Sequence, residues 1–439
     1  MSRRIGCLLI GEDGRPPEGI VTIRDLLRAM VSGAHDPNTA PVREVMSSPV
    51  IGMRGGELVY RALARMDRLE IRYLCVLDDS GNAIGIVSQR DLLQHRARSS
   101  TIIDDALVEA DSVQALAAAY GRVPHAAAQL SAEGLDGVEV ARIVSTELRA
   151  LSRRSTALAL QHMKDDGRGD APAPWCYFLL GSAGRGESLL SADQDNALIH
   201  TGTDADDDWF ADFGRRVSDY LDEAGVPLCK GGVMAANEQW RGTGDAWRER
   251  VAHWLRRARP EDILNVDIFF DLVPVAGELE LGHILHRDAV QAASEKNAFL
   301  ALLAASVESY TPQFSLFGKP VTDNGRIDLK RNGLLPLVGF ARALSIRERS
   351  VSRSTPARLE DIRAAGRLGE EDIARLIAIH QELMGYVLHQ QIADLREGIP
   401  PSSRVELAGL SREQRRTLRD GLHALDDIVH QTRALISGR

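Results

Sequence analysis

Trp175-Cys-Tyr-Phe-Leu-Leu-Gly-Ser-Ala-Gly-Arg-Gly-Glu187, followed shortly by Ser191-Ala-Asp-Gln-Asp-Asn-Ala-Leu-Ile199, is the stretch that decides the fold. Trp175 to Leu180 is an unbroken apolar run of strand length, the pattern of a strand buried on both faces. It enters a small-residue turn, Gly181 to Glu187, that opens a helix. Glycines let the backbone come close to a phosphate, and the free N–H groups of a helix start favour an anion there. Asp193 and Asp195 then stand two apart at the mouth of a second apolar strand, where alternation puts both on one face. Two adjacent carboxylates repel each other. A hard divalent cation such as Mg²⁺ relieves that repulsion and can bridge to a nucleoside triphosphate. Each part has a plainer alternative: a Gly-Ser turn that binds nothing, and a pair of solvated turn aspartates.

The order Gly-Ser, short spacer, Asp-x-Asp resembles the polymerase-β-type nucleotidyltransferase signature. The fuller string Gly-Ser-x-Gly-Arg-x-Glu, then Asp-Gln-Asp-Asn, is similar to a nucleotidyltransferase family found fused to CBS and cyclic-nucleotide-binding domains, related to the uridylyltransferase of the bacterial PII system. The likeness continues through Leu228-Cys-Lys-Gly-Gly-Val-Met234, Trp240, Ile268-Phe-Phe-Asp271, Asp328-Leu-Lys330 and Gly333-Leu-Leu-Pro336, roughly residues 150 to 439. The resemblance implies Mg²⁺-dependent transfer of an NMP from an NTP, with Mn²⁺ as an alternative ion. It implies a third carboxylate on a neighbouring strand, in Asn265-Val-Asp-Ile-Phe-Phe-Asp-Leu-Val273. Asp267 and Asp271 share strand parity there; the family pattern favours Asp271, and Asp267 stays open as ligand or supporting partner. By the same resemblance Asp193, Asp195 and Asp271 are the catalytic and metal-holding set of a two-metal-type transfer. Gly181 and Ser182 would bind the β- and γ-phosphates, Arg185 the departing pyrophosphate, and Lys230 would add a point charge. For Arg185 and Lys230 a structural ion pair is the alternative; Lys330 is a further phosphate candidate, with a surface salt bridge as its alternative.

At the other end of the chain, Gly19-Ile-Val-Thr-Ile-Arg-Asp-Leu-Leu27 returns as Gly85-Ile-Val-Ser-Gln-Arg-Asp-Leu-Leu93. Each copy follows an apolar strand and a polar turn, then enters a helix whose first turn Thr22 or Ser88 can cap. The pair resembles tandem CBS modules, which bind adenine nucleotides. The resemblance puts Asp25 and Asp91 on ribose hydroxyls and Thr22 and Ser88 near phosphate; simple helix capping is the alternative for all four. The second copy, about 42–98, has its lead-in strand and helix; the first lacks them, so either the natural chain is longer or another chain completes the pair as a homodimer.

With 439 residues, two to four domains are expected. The division predicted is a CBS segment over 1–98, helices over 99–170, a transferase core over 171–287 and a C-terminal helical domain over 288–439. Helices are expected over 288–310, 334–350, 358–366, 370–396 and 411–436. The fold class is therefore α+β multidomain: CBS α/β modules, a polymerase-β-like mixed-sheet core and a C-terminal helical bundle. A net charge of −9 argues against a general nucleic-acid-binding role. Four cysteines with no CxxC pair point to a reducing compartment rather than a disulfide frame. Ile5 to Ile10 faintly resembles a signal peptide but is short and is interrupted by Glu12-Asp13, and no run approaches the ~18 apolar residues of a membrane span. A soluble, cytoplasmic signalling enzyme acting on a protein or small-molecule acceptor is expected. The rival is a nucleotide-responsive scaffold that has kept the fold and lost catalysis, which Asp267 and Asp271 turned away from Asp193 would favour.

Overall fold

A computed structural model describes residues 6–11, 16–32, 36, 39–55, 59–69, 71–78, 81–89, 92, 106–257, 266–308, 310, 312–315 and 318–437. The architecture is α+β, in two compact units: residues 1–101 with 132–135, and residues 102–131 with 136–439.

In the N-terminal unit, β1 (Cys7–Ile10) pairs antiparallel with β2 (Gly19–Thr22), which runs into α1 (Ile23–Ser32). The apolar start of the chain is thus the first strand of a hairpin. A second set follows: β3 (Gly52–Arg54), α2 (Val59–Arg68), β4 (Tyr73–Leu77) and β5 (Ala83–Ser88). Strand β4 is central, parallel to β3 and antiparallel to β5. Met53, Ala62, Met66, Leu74 and Leu92 form its core. Among the described residues the first set therefore has two strands and a helix where the second has three strands and a helix. Helix α1 leaves Ile23, Leu26, Leu27, Met30 and Val31 exposed, an apolar stripe at helical spacing.

The larger unit is built on a four-stranded sheet ordered β8-β7-β6-β9, comprising β6 (Trp175–Leu179), β7 (Asn196–His200), β8 (Arg241–Thr243) and β9 (Val273–Gly277). The central strands β6 and β7 are antiparallel and buried at every residue; β6 is an unbroken apolar run, and β7 sets Ala197, Leu198 and Ile199 between Asn196 and His200. Pro274 sits on β9, an edge strand, where its missing N–H costs no ladder bond. Three helices precede the sheet: α3 (Val113–Tyr120), α4 (Val123–Ala132) and the long α5 (Gly137–Asp165), whose start is a capping box of Asp136 and Glu139. After β7 come α6 (Asp207–Glu223), with the acidic run at its N-terminus, and α7 (Gly244–Arg257).

The stretch read as a strand over 265–273 is different. Val266 to Phe269 is a helical turn, with Phe270 N–H on Asp267 O, Asp271 N–H on Ile268 O and Leu272 N–H on Phe269 O, and the strand begins only at Val273. Apolar residues of strand composition were pulled into a turn because the carboxylates flanking them bind one arginine, Arg342.

The C-terminal half is helical: α8 (Leu279–Ser294), α9 (Asn297–Glu308), α10 (Leu335–Arg347), α11 (Thr355–Ala364), α12 (Glu370–Arg396), α13 (Arg412–Val429) and α14 (Thr432–Ser437). The helix expected over 288–310 is two helices, and the one expected over 411–436 also breaks into two. A π-helical turn, Lys330–Leu334, leads into α10; such turns are rare and occur often at functional sites.

Candidate functional site

Strand β6 delivers Gly181 into a five-residue helical turn, Gly181–Arg185, closed by the left-handed Gly186. Gly181 is itself at φ +55°, and a Cβ there would lie 2.6 Å from Asp195 Oδ2. The position therefore needs glycine both for its backbone conformation and for room. A Cβ on Gly184 would lie 2.1 Å from the Asp271 carbonyl oxygen. Arg149 of α5 caps the turn's far end, its guanidinium donating to Ala183 O (2.9 Å) and Gly184 O (3.0 Å). Ser182 Oγ is 3.0 Å from Ser188 Oγ.

Asp193 and Asp195 meet this turn at the start of β7, where Leu180 N–H donates to Asp195 O at 2.9 Å. The residues between and beyond them point the other way and hold a loop. Gln194 Nε2 donates to Ser218 O and Val226 O (both 2.9 Å), and Asn196 Oδ1 accepts from Ala235 N–H (2.8 Å). That loop carries Cys229. One carboxylate oxygen each of Asp193 and Asp195 and the Cys229 thiol sulfur lie within 4.8 Å of one another. Burial, then the Asp193 charge, pushes the Asp195 carboxyl up to about 6, with Cys229, Lys330 and Arg185 pulling the other way. Two crowded carboxylates beside a glycine-cleared backbone form a donor set suited to a divalent cation.

Asp271, expected as the third metal ligand, is not in the group that gathers around Asp193 and Asp195. It is fully buried in an arginine cage. Its Oδ1 accepts from Arg342 Nε (3.1 Å) and Arg358 Nη1 (2.8 Å), and its Oδ2 from Arg185 Nη1 (2.5 Å) and Arg342 Nη2 (2.6 Å). Burial alone would raise this carboxyl; Arg342, Arg185 and Arg358 instead hold it well below the usual carboxylate range. Four guanidinium bonds leave its lone pairs committed. Asp267 accepts from Arg342 Nη1 at 2.7 Å, so it too serves this cage.

Arg185 lines the cleft, but its Nε is given to Glu187 (2.7 Å) and its Nη1 to Asp271, which is the ion-pair alternative to pyrophosphate binding. Glu187 Oε1 accepts from Thr355 N–H at 2.6 Å, and His380 Nε2 lies 3.7 Å from it. Lys230 is exposed on the turn after Cys229 and is not among the cleft residues. Lys330 does line the cleft, at the first residue of the π-turn. Ser182, Asp193 and Ser191 form one wall, and Lys330 with Leu334, Val338, Met384 and Gln391 of the C-terminal helical region forms the other. Gln391 fastens the two, accepting from Leu190 N–H (2.8 Å) and donating to Ser191 Oγ (2.7 Å). Cys229, Arg342, Arg358 and Gln391 are the residues sequence reasoning missed; only Cys229 had a signal, its place in the Leu228-to-Met234 motif.

In the N-terminal unit, Thr22 Oγ1 donates to Asp25 Oδ2 (2.7 Å), as does Thr22 N–H (2.9 Å), the geometry of a helix cap. Ser88 ends β5, and Asp91 lies outside the described residues.

The profile described as "Putative nucleotidyltransferase DUF294" matches residues 121–261, from α4 through the sheet to α7. The profile described as "Putative nucleotidyltransferase substrate binding domain" matches residues 297–434, the helices that form the far wall of the cleft. The chain belongs to the DUF294 family. This DUF294 protein also matches the CBS domain over residues 1–32 and 42–98. An uncharacterized protein of Methanopyrus kandleri is 39% identical over 90 residues, 20% of this chain and 46% of that one. The chain thus spans about half the length of the curated relative it matches. Among solved structures, "a putative signal-transduction protein with CBS domains" from Burkholderia ambifaria is 34% identical, covering 21% of this chain and 65% of its own at a TM-score of 0.20. A CBS domain protein from Pyrobaculum aerophilum, complexed with AMP, is 28% identical, covering 22% and 76% at a TM-score of 0.19. No helix among the described residues is long and apolar enough to cross a membrane.

Proposed function

We propose that this DUF294 protein transfers an NMP from an NTP to an acceptor hydroxyl, with a divalent cation held by Asp193 and Asp195, and that its CBS segment senses an adenine nucleotide. The observation that carries the reading is the carboxylate pair set against the Gly181–Ser182 turn, at the mouth of a cleft closed by the C-terminal helices. Mg²⁺ fits the two carboxylates; when bound it supplies charge neutralisation for the triphosphate. The chain's own residues do the rest. The Gly181-to-Gly184 backbone offers N–H groups at a strand-to-helix turn, Ser182 adds a hydroxyl, and Lys330 adds a positive charge from the opposite wall. The acceptor oxygen bonds to the α-phosphorus and gives up its proton to solvent as the bond from the α-phosphorus to the bridging β-phosphate oxygen breaks and pyrophosphate leaves.

We divide the chain accordingly into a CBS segment over 1–98, helices over 99–170, a core over 171–287 and an acceptor- or nucleotide-holding helical domain over 288–439. The exposed stripe on α1 supports a homodimer formed through the CBS segment.

Each of the four α-labelled NTPs, supplied with Mg²⁺ and a cell extract, tests the reading against the Asp193→Asn/Asp195→Asn double variant. Label transferred by the natural chain and not by the variant supports it; no transfer together with no Mg²⁺-NTP binding refutes it. The rival, a nucleotide-responsive scaffold, is favoured by one observation: Asp267 and Asp271 are bound to arginine, and among the described residues no third acid joins the carboxylate pair. It predicts NTP binding with no transfer under any acceptor mixture.

A further inference from the structure

The third donor beside Asp193 and Asp195 is a thiol, where the resemblance called for a carboxylate. Its placement is fixed from both flanks by the neighbours of Asp195. Gln194 N–H donates to Pro227 O (3.0 Å), and Asn196 N–H donates to Val233 O (3.0 Å). Within that span Gly232, at φ +70°, turns the chain back so that its N–H donates to Cys229 O at 3.0 Å. The same two residues, Gln194 and Asn196, also brace the loop's ends through their buried side chains. The dipeptide spacing that points two carboxylates into the site thus uses the alternate positions to carry a sulfur to it. Such bracing is what keeps a metal ligand in place before the ion arrives.

Oxygen donors alone suit Mg²⁺, whereas sulfur selects softer ions, and zinc accepts both cysteine sulfur and carboxylate oxygen as ligands. We infer that Cys229 is a third protein ligand of the cation held by Asp193 and Asp195, and that it gives the site a preference for a thiophilic divalent ion such as Zn²⁺ or Co²⁺ over Mg²⁺. This rests on the reading that the aspartate pair holds a cation. Binding forms the metal–sulfur bond and releases the thiol proton to solvent.

The test uses the full chain, freed of metal and titrated with Co²⁺, whose bond to sulfur shows as a ligand-to-metal charge-transfer absorption. Mg²⁺ and Zn²⁺ affinities are measured calorimetrically alongside, for the natural chain, Cys229→Ser and Asp193→Asn. The natural chain is expected to show the band and Cys229→Ser to lack it. Loss of the sulfur should cost Co²⁺ and Zn²⁺ affinity at least about tenfold while Mg²⁺ affinity stays within about twofold. Tryptophan emission and circular dichroism of Cys229→Ser should match the natural chain. Co²⁺ binding that depends on Asp193 but gives no charge-transfer band, or that survives Cys229→Ser unchanged, overturns the inference and leaves the carboxylate site standing. Cation binding that ignores Asp193→Asn, or no binding at all, overturns both.

Discussion

Asp271→Asn separates a metal ligand from a structural anchor. In the natural chain one carboxylate, fully buried, takes four bonds from Arg185, Arg342 and Arg358. The amide has one acceptor oxygen and two donors, so at least two guanidinium N–H groups lose their partner; Arg358 loses the carboxylate it pairs with, while Arg185 keeps Glu187 and Arg342 keeps Asp267. Breaking a buried ion pair from one side typically costs about 3–5 kcal/mol, because the remaining charge stays desolvated. For a unit of this size that is roughly 4–7 °C in Tm. The readout is clean: all five tryptophans, Trp175, Trp209, Trp240, Trp247 and Trp254, lie in the larger unit, so their emission follows its unfolding alone. The folded carboxyl is depressed, so its stabilisation is fully present above the ordinary carboxylate pKa and is lost only as pH falls through the depressed value. The gap between natural chain and variant should therefore be constant from about pH 5 to 8 and close in acid. A metal ligand predicts the reverse pattern. Tm unchanged within about 1 °C, with cation affinity down about tenfold, would refute the anchor and restore Asp271 to the ion.

Gly181→Ala should fold with a penalty of about 1–2 kcal/mol for a left-handed alanine, and its Cβ should displace Asp195, so cation titration should show affinity down at least about tenfold. Asp195 is pushed up to about 6, so its charge opposes folding above that pH. Asp195→Asn should raise Tm at pH 8, and the gain should disappear as pH falls below about 4, where both states of the natural residue are neutral. Gln391→Ala removes the bonds to Leu190 N–H and Ser191 Oγ; thermal melting should show about 1–2 kcal/mol lost, and NTP affinity should fall because the segment entering Asp193 is freed. Thr22→Val removes a helix cap in the N-terminal unit and should cost that unit about 1 kcal/mol, read by hydrogen exchange in α1.

The parts legible in the sequence were those whose signal is local. An apolar run of strand length, a glycine turn and alternating aspartates specify β6, the turn and the start of β7 from their own residues, and Glu370–Arg396 was bounded by its own periodicity. The repeat around Gly19 and Gly85 marked the N-terminal unit without reference to anything else. Ile268-Phe-Phe-Asp271 failed because its conformation is set from outside. Two carboxylates four apart on a helical turn share a side just as two of equal strand parity do, so the pattern could not distinguish them, and Arg342, seventy-one residues beyond Asp271, decides the matter. Arg358 is invisible for the same reason: an arginine in a polar helix start reads as surface until the fold buries it.

The cage changes what the C-terminal helices are for. A buried cluster of three arginines and three acids is poor stabilisation in itself, since an apolar core of equal volume would serve as well. What it supplies is geometry between parts of the chain far apart in sequence. Arg185 and Glu187 belong to the phosphate-side turn, Asp271 to the sheet side, Arg342, Arg358 and Thr355 to the C-terminal helices. Directional bonds among these fix distance and angle in a way that side-chain packing of interchangeable apolar groups does not. The two walls of the cleft are therefore set by one polar network, with Gln391 fastening the rim and the cage fastening the floor. Any movement of helices α10 and α11 against the sheet must either carry the Gly181 turn with it or break a guanidinium bond to Asp271.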